Sequence, residues 1–429
     1  MNTVIRGGRV VDPSQCIDGI FDILISGNRI GDISPSGKNS LKAENVIDAS
    51  GLTIIPGIID IHTHLRDPGY EYKEDIESGT MAAAAGGVTA VACMANTKPV
   101  NDNASITKDI LKKAKEVGHV RVYPIGALTQ GLKGEVLAEM ASMKSAGIVA
   151  LSDDGMPVMS SIVMRRGLEY SLALDLTVIT HAEDLSLSEK GSMNEGPTST
   201  AMGLKGIPNA AEDVMVMRDI ALAELTGARL HIAHISTEGA LALVREAKKR
   251  GVRVTAEAAP HHFTLTDDFV GEYNTDAKMS PPLRSKNDME AVRQGLKDGT
   301  IDAIATDHAP HSTIEKHVEF DCAANGIIGL ETLLPLTLRL VDDGVLTLPE
   351  AVLKLSVNPA RIIGVEGGTL EKGAPADITV FDSESEYVLD RRLMKSKSKN
   401  TPFHGWKLRG RTAYTIVDGK TVYKGDDYA

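Results

Sequence analysis

Two histidines, His62 and His64, offer the clearest chemistry in this sequence. They stand two apart in I-I-D-I-H-T-H-L-R-D-P, residues 58–68, at the end of an apolar run. Side chains two apart on a β-strand point to the same face, so both imidazoles would converge on one point. This spacing suits a metal site, although strand histidines also occur as hydrogen-bonded core residues. The isoleucine-rich run 53–61 predicts a strand buried on both faces.

Further residues of metal-ligand type stand near the ends of later predicted strands. They are Asp153 and Asp154 in L-S-D-D-G, His181 in T-H-A-E-D, His234 in I-A-H-I-S, and Asp307, His308 and His311 in A-T-D-H-A-P-H. Four imidazoles and two carboxylates suit one or two borderline ions such as zinc. We interpret His308 as packing beside Asp307, and His231 as a core or helix-facing residue.

Two ions in one site would need a bridging carboxylate, and either Asp153 or Asp154 could supply it. Strand parity favours Asp154: small Ala150 and Ser152 fall on its side, as a crowded barrel interior requires, whereas Val149 and Leu151 suit the helix-facing exterior.

Composition limits the class of protein. The 429 residues carry 46 lysines and arginines against 58 acidic residues, a net charge of -12, which argues against nucleic acid as a partner. The sequence shows neither a signal-peptide pattern nor an apolar run long enough to span a membrane. Cys16, Cys93 and Cys322 lie far apart, so we expect reduced thiols in a soluble, cytoplasmic protein.

The order of predicted elements indicates the fold. Residues 56–364 alternate short strands with helices, and polar residues gather at most strand ends, which favours a (β/α)8 barrel over a doubly wound sheet. The predicted strands are 57–64, 88–94, 121–127, 147–152, 176–181, 229–235, 252–257 and 301–306. Residues 1–55 and 365–429 instead show short alternating strands, which predict one small β-sandwich domain built from both termini.

Two kinds of loop are also predicted. Segments 185–208 and 311–326 are long enough to be mobile loops at the barrel mouth. The run K-S-K-S-K-N, residues 395–400, is of low complexity, and we interpret it as a mobile surface loop.

Several motifs carry a family resemblance that covers essentially the whole chain. They are D-I-H-T-H-L-R-D-P-G (60–69), M-A-N-T-K-P (94–99), N-E-G-P-T-S-T-A-M-G-L-K-G-I-P (194–208), A-T-D-H-A-P-H-S-T-I-E-K (305–316) and E-K-G-A-P-A-D-I-T-V (371–380). With them the sequence resembles the dihydroorotases of the amidohydrolase superfamily. H-x-H marks only the superfamily, whereas Arg66, Asn96 and D-x-A-P-H with the later Lys316 are specific.

The resemblance implies a set of site residues. His62, His64 and Asp307 would hold one zinc ion, His181 and His234 would hold a second, and Asp154 would bridge them, as in the aspartate-bridged branch. The implied substrate-contacting residues are His64, Arg66, Asn96, Ser280, His311, Asn325 and Gly326, with Arg66, Asn96 and His311 on the substrate carboxylate. Ser280 stands where many members have asparagine.

The resemblance also implies a reaction. It is the reversible, zinc-dependent hydrolysis of the cyclic amide of (S)-dihydroorotate to N-carbamoyl-L-aspartate in de novo pyrimidine (UMP) biosynthesis. We expect zinc-bound hydroxide to attack and Asp307 to pass its proton to the ring nitrogen. A homo-oligomer is expected, and association with aspartate transcarbamoylase is left open. The alternatives are another cyclic amidase, such as a hydantoinase or allantoinase, and an inactive barrel partner of aspartate transcarbamoylase.

Overall fold

The computed structural model describes residues 2–37, 41 and 43–428. The strands are β1 (Asn2–Asp12), β2 (Ile17–Ser26), β3 (Arg29–Pro35), β4 (Asn45–Asp48), β5 (Thr53–Pro56), β6 (Ile58–Thr63), β7 (Val88–Cys93), β8 (Arg121–Gly126), β9 (Ala150–Ser152), β10 (Thr177–Thr180), β11 (Met193–Asn194), β12 (Gly206–Ile207), β13 (Leu230–Ile232), β14 (Val254–Ala258), β15 (Ala303–Ile304), β16 (Ile378–Val388), β17 (Lys407–Val417) and β18 (Lys420–Lys424).

The helices follow most barrel strands, as the alternation predicts. They are α1 (Ile76–Ala85), α2 (Ala104–Val117), α3 (Met140–Ala146), α4 (Ser161–Ala173), α5 (Leu185–Ser188), α6 (Pro197–Met202), α7 (Ala210–Thr226), α8 (Glu238–Lys249), α9 (Lys286–Asp298), α10 (Thr313–Lys316), α11 (Leu333–Asp342), α12 (Leu348–Val352) and α13 (Asn358–Ile363). Within the described ranges, no helix is long and apolar enough to cross a membrane.

Eight parallel strands form the barrel, in the order β15-β14-β13-β10-β9-β8-β7-β6. The first and last strands meet through a bridge between Thr63 and His308, and the backbone N–H of His64 donates to the carbonyl of His308 at 2.9 Å. The ring of strands therefore closes where the first histidine motif ends. The predicted (β/α)8 barrel is confirmed.

Alanines contribute to a buried cluster of the barrel strands, beside larger side chains such as Ile59, Ile125 and Ile179. Ala90, Ala150 and Ala303 belong to one buried cluster, which is separate from the larger apolar cluster that contains Leu151 and the helices. This division agrees with the parity argument for Ala150 and Leu151. The argument was wrong for Val149, which it placed on the exterior, because Val149 packs against the cluster of Ala150.

Strands from both ends of the chain form a second sheet. Its order is β18-β17-β16-β5-β1-β2-β3, with β4 paired to β1. β17 and β18 form a hairpin that turns at Asp418-Gly419. Because β5 pairs with β16, the amino-terminal and carboxyl-terminal strands complete one another. The predicted association of the termini is confirmed, while the domain limits 1–55, 56–364 and 365–429 stay a prediction, and residues 1 and 429 lie outside the described ranges.

The segment after β16 differs from its prediction as a surface loop. Residues 394–400, called the strap below, alternate between buried and exposed side chains, and Ser396, Ser398 and Asn400 are buried while Lys395 and Lys397 are exposed. The composition of the segment did not predict this alternation, because lysine and serine are both frequent on protein surfaces. The strap packs on the barrel with its serines and Asn400 inward.

The predicted long loops contain short elements. Segment 185–208 includes α5, β11, α6 and β12, and segment 311–326 includes α10. The buried guanidinium of Arg284 donates to the carbonyl of Ile207 at 3.1 Å and to Ser236 Oγ at 3.0 Å, which ties the first segment to the barrel. The mobility of both segments stays a prediction.

One arginine joins the barrel to the terminal sheet. Arg121, at the start of β8, donates from Nε to Asp377 Oδ2 and from Nη2 to Asp418 Oδ1, each at 2.6 Å. The Arg121 and Asp377 side chains are 26% and 8% exposed. Since water reaches this pair only partly, we expect it to contribute more to stability than a surface ion pair.

Replacing Arg121 tests this joint. We expect Arg121→Met to lower the free energy of unfolding by about 1–3 kcal/mol, because Asp377 would remain buried without its cationic partner. Arg165→Met is the matched control, since the Arg165–Glu169 pair on α4 is 47% exposed on both sides and should cost at most about 0.5 kcal/mol. Urea denaturation measures both values. Equal losses would contradict a special role for Arg121.

Candidate metal centre and substrate cleft

Six side chains from five barrel segments meet at the carboxyl ends of the strands. They are His62 on β6, His64 just after it, Asp154 after β9, His181 after β10, His234 after β13 and Asp307 after β15. All six are 6% exposed or less. The structure thus brings together every residue that the sequence predicted as a metal ligand. They line or underlie a cleft of about 520 Å³.

Asp154 lies at the middle of this group. Its Oδ1 is 3.4 Å from His62 Nε2, 3.5 Å from His234 Nε2 and 3.7 Å from His181 Nδ1. Its Oδ2 is 3.5 Å from His64 Nε2. Oδ1 therefore faces His62 as well as the β10 and β13 histidines, while Oδ2 faces His64, so this one carboxylate contacts imidazoles on both sides of the centre.

Asp307 completes a second group with the β6 histidines. Asp307 Oδ1 is 3.0 Å from His64 Nε2 and 3.4 Å from His62 Nε2. Ligands that share a tetrahedral ion at about 2.1 Å stand roughly 3.4 Å apart. The spacings in both groups are therefore those of side chains arranged around cations.

Unpartnered polar atoms also point to a cation. His62 Nε2 and Asp154 Oδ1 are buried and have no hydrogen-bond partner among the described residues. A buried polar atom without a partner costs about 1–3 kcal/mol. These two atoms face one another across 3.4 Å, and a divalent ion between the side chains would satisfy both. The donor set of imidazole nitrogens and carboxylate oxygens fits such an ion.

Hydrogen bonds fix which nitrogen of three imidazoles faces the centre. His62 Nδ1 donates to Glu257 Oε1 at 2.6 Å, and His181 Nε2 donates to Glu183 Oε2 at 3.1 Å. His64 Nδ1 contacts Asn96 Oδ1 at 3.0 Å. An ionised carboxylate accepts only, so in the neutral imidazoles the lone pair lies on Nε2 of His62 and on Nδ1 of His181, the nitrogens that face Asp154.

Asp153 has a different environment from its neighbour. Its Oδ1 accepts from the backbone N–H groups of Leu128 and Thr129 at 2.7 and 2.9 Å, and its Oδ2 accepts from Thr129 Oγ1. Burial raises the pKa of this carboxyl to about 6 in spite of these bonds. All its contacts are to one loop, so Asp153 fastens the chain after β8, while Asp154 faces the histidines.

A cationic corner lies beside the metal centre. Arg66 Nη2 is 3.3 Å from His311 Nε2, and Lys73 Nζ is 3.4 Å from His311 Nδ1. Burial, followed by the charges of Arg66 and Lys73, lowers the pKa of His311, which keeps the imidazole neutral. Arg66 and His311 line the cleft. A carboxylate would be favoured here, because a guanidinium binds it through two hydrogen bonds.

The other predicted substrate contacts lie around the same cleft. Asn96, Ser280 and Asn325 line it. Ser280 Oγ donates to Glu183 Oε2 at 3.4 Å. Gly326 differs, because its N–H donates to Lys278 and its carbonyl accepts from Lys316 and Asn400. Asn325 is therefore the member of this pair that faces the cleft.

Sequence reasoning missed three residues at this site. Glu257 accepts from His62 and also contacts His231 Nε2 at 3.1 Å, so the core position predicted for His231 is next to the metal centre. Glu183 and Lys73 contact His181 and His311. Only Glu183 carried a signal, as it stands two residues after His181 in T-H-A-E-D.

Comparison with known proteins identifies relatives of the whole chain. A family model for dihydro-orotase-like proteins matches residues 51–240, and one for the amidohydrolase family matches residues 200–423. Curated dihydroorotases from Geobacter metallireducens and Geobacter sulfurreducens are 58% and 59% identical, and the matches cover 99% of this chain and 100% and 99% of theirs. The dihydroorotase of Acetivibrio thermocellus is 55% identical, with 98% of this chain and 99% of that protein covered.

Solved structures share the fold. The L-hydantoinase (dihydropyrimidinase) from Arthrobacter aurescens superposes with a TM-score of 0.89 at 25% identity, over 98% of this chain and 96% of that one. The dihydropyrimidinase from Brevibacillus agri gives 0.87 at 24% identity, over 99% and 95%.

The two adjacent aspartates provide a test of the centre. We expect Asp154→Asn to lose bound metal and turnover with little loss of folding stability, because it weakens a ligand. Asp153→Asn should instead cost about 1–3 kcal/mol of stability while it retains metal, because a buried loop bond is lost. Metal analysis and thermal unfolding of both variants measure the difference. Metal loss in Asp153→Asn alone would exchange the two roles.

Proposed function

The chain belongs to the dihydroorotase family of amidohydrolases, and we propose that it catalyses the reversible hydrolysis of dihydroorotate to N-carbamoyl-L-aspartate. The observation that carries the proposal is the cationic corner, where Arg66 lies beside the neutral His311, next to a centre of histidines and carboxylates. Dihydroorotate has both a carboxylate and a cyclic amide. The Arg66 side of the cleft suits the carboxylate, and the side with the histidines and carboxylates suits the amide.

We propose two zinc ions in the centre. His62, His64 and Asp307 would hold one, His181 and His234 the other, and Asp154 both. The ions would polarise the amide carbonyl and lower the pKa of a water molecule.

The chain's own residues orient the substrate and move the proton. Arg66, Asn96 and His311 would bind the carboxylate and thereby place the ring amide over the centre. Asp307 would take one proton from the attacking water and deliver it to the ring nitrogen as the carbon–nitrogen bond breaks. The second hydrogen of that water stays on the new carboxyl group, so the reaction needs no other reactant. Ser280 and Asn325 would contact the ring.

The competing functions make different demands on the site. The structural relatives include hydantoinases, and a hydantoin or allantoin ring has no carboxylate placed like that of dihydroorotate, so Arg66 and His311 would lack a partner. An inactive barrel would not need to retain metal ligands, whereas all six candidates lie together here.

The proposal also includes the cellular location and the oligomeric state of the protein. Three free cysteines fit the reducing cytoplasm. We propose a homo-oligomer, and the exposed apolar side chains of Ile162, Met217 and Leu225, on α4 and α7, are candidates for its interface. The mass of the purified protein, alone and mixed with aspartate transcarbamoylase, shows whether either association forms.

The decisive experiment combines metal analysis with activity measurements on one sample. We expect about two zinc ions per chain, opening of dihydroorotate and closure of carbamoyl aspartate, and loss of both activities on chelation. Hydantoin, allantoin and dihydrouracil are the control substrates. Turnover of one of these without turnover of dihydroorotate would overturn the proposal.

A conservative change at Arg66 tests the substrate corner. Lysine keeps the positive charge but cannot bind a carboxylate through two parallel hydrogen bonds. It also cannot contact Pro310 and His311 at the same time, as Arg66 does. We expect Arg66→Lys to raise KM at least about tenfold, ~1.4 kcal/mol of binding, with metal retained. Arg165→Lys, at an exposed position on α4, is the control. An unchanged KM in Arg66→Lys would contradict carboxylate binding by this residue.

A further inference from the structure

Asn400, the last residue of the strap, uses its whole side chain on the loop beside the cleft. Its side chain is 3% exposed. Nδ2 donates to the carbonyls of Ala309 and Gly326, each at 3.0 Å, and the N–H of His311 donates to Oδ1 at 3.1 Å. An amide side chain offers two N–H donors and one acceptor oxygen, and here both donors and the oxygen are hydrogen-bonded.

These bonds join the strap to both ends of the loop between residues 309 and 326. Residues 309–311 follow β15 and end in the imidazole of the cationic corner, while Gly326 follows α10 and stands next to Asn325 in the cleft. The two ends of this loop are joined directly by the backbone N–H of Ala309, which donates to the carbonyl of Ile327 at 2.9 Å. The three bonds of Asn400 add a second link between the ends, from a side chain that lies outside the cleft lining.

A buried lysine reinforces the second end of the loop. Lys316 Nζ donates to the carbonyls of Ala324 and Gly326 at 2.9 and 3.1 Å, and its side chain is 2% exposed. The carbonyl of Gly326 thus accepts from both Lys316 and Asn400. This convergence holds the turn at residue 326 from two sides.

The rest of the strap is fixed to other parts of the barrel. Ser396 Oγ donates to Glu74, and Ser398 Oγ donates to the carbonyl of Lys73 at 2.6 Å. The N–H groups of Lys395 and Ser396 donate to Glu331 Oε1 at 2.8 and 3.1 Å. The strap therefore has anchors outside the loop, and the backbone carbonyl of Asn400 also accepts from the N–H of Ile328 at 3.0 Å, just after the loop.

We propose that Asn400 is a positioning residue for the substrate, which sets the distance between the carboxylate contact at His311 and the ring contact at Asn325. This inference rests on the proposed function. The substrate carboxylate lies away from the bond that breaks, so contacts to it contribute equally to the binding of substrate and of transition state. Asn400 therefore acts mainly on KM, through main-chain positions, and has little effect on the metal centre.

Two variants of Asn400 test the inference. Asn400→Ala removes all three bonds. Asn400→Asp has the same shape and keeps the acceptor for His311, but it places an oxygen against the carbonyls of Ala309 and Gly326. We expect either change to raise KM for dihydroorotate about 10- to 100-fold, because small misplacements of binding groups are costly, with kcat reduced less and metal content unchanged.

Ser396→Ala is the matched control on the same strap. Ser396 is 1% exposed and bonds to Glu74 instead of the loop, so its loss should lower the melting temperature and leave KM within about twofold. Hydrogen exchange of residues 309–328 should increase in the Asn400 variants and stay unchanged in Ser396→Ala.

The outcomes separate this inference from the proposed function. An unchanged KM in folded Asn400 variants, an equal rise in Ser396→Ala, or failure of both Asn400 variants to fold would overturn the positioning role. Absence of dihydroorotate turnover in the unmodified, metal-loaded protein would instead refute the proposed function itself.

Discussion

The buried imidazoles at the end of the barrel depend on oxygen acceptors from neighbouring segments. Glu257, Asn96 and Glu183 each contact the outward nitrogen of one histidine. In a low-dielectric interior an imidazole without such a partner could rotate or change its tautomer, and the metal-facing lone pair would be lost. Since Glu257 comes from β14 and Asn96 from the loop after β7, the centre can form only when these strands have closed into a ring.

Charge is separated within the cleft. Asp154 and Asp307 face four imidazoles at the centre, while Arg66 lies on the side of His311, together with Lys73, which is paired with Glu315 at 2.6 Å. Two cations can lie this close to one ring because burial and their own charges keep that ring neutral. One end of the cleft therefore attracts cations and the other attracts an anion, which orients a substrate that has one carboxylate.

The sequence predicted the parts of this molecule that repeat or that lie close together along the chain. The alternation of strands and helices indicated the barrel, and parity in a three-residue strand distinguished Asp154 from Asp153. Glu257 could not be found in this way, because its partner His62 is 195 residues away and no local pattern joins them. The strap was misinterpreted for a related reason: its serines face Glu74 and Lys73, contacts that composition does not reveal.

The pairing of β5 with β16 and the position of the strap have a consequence for synthesis on the ribosome. All eight barrel strands have been made by residue 304, yet the segment that clamps the loop beside the cleft ends at residue 400. The barrel of a growing chain can begin to fold early, as domains do during translation. The substrate cleft, however, is complete only after nearly the whole chain has been synthesised. Chains released early would therefore lack the clamp on this loop.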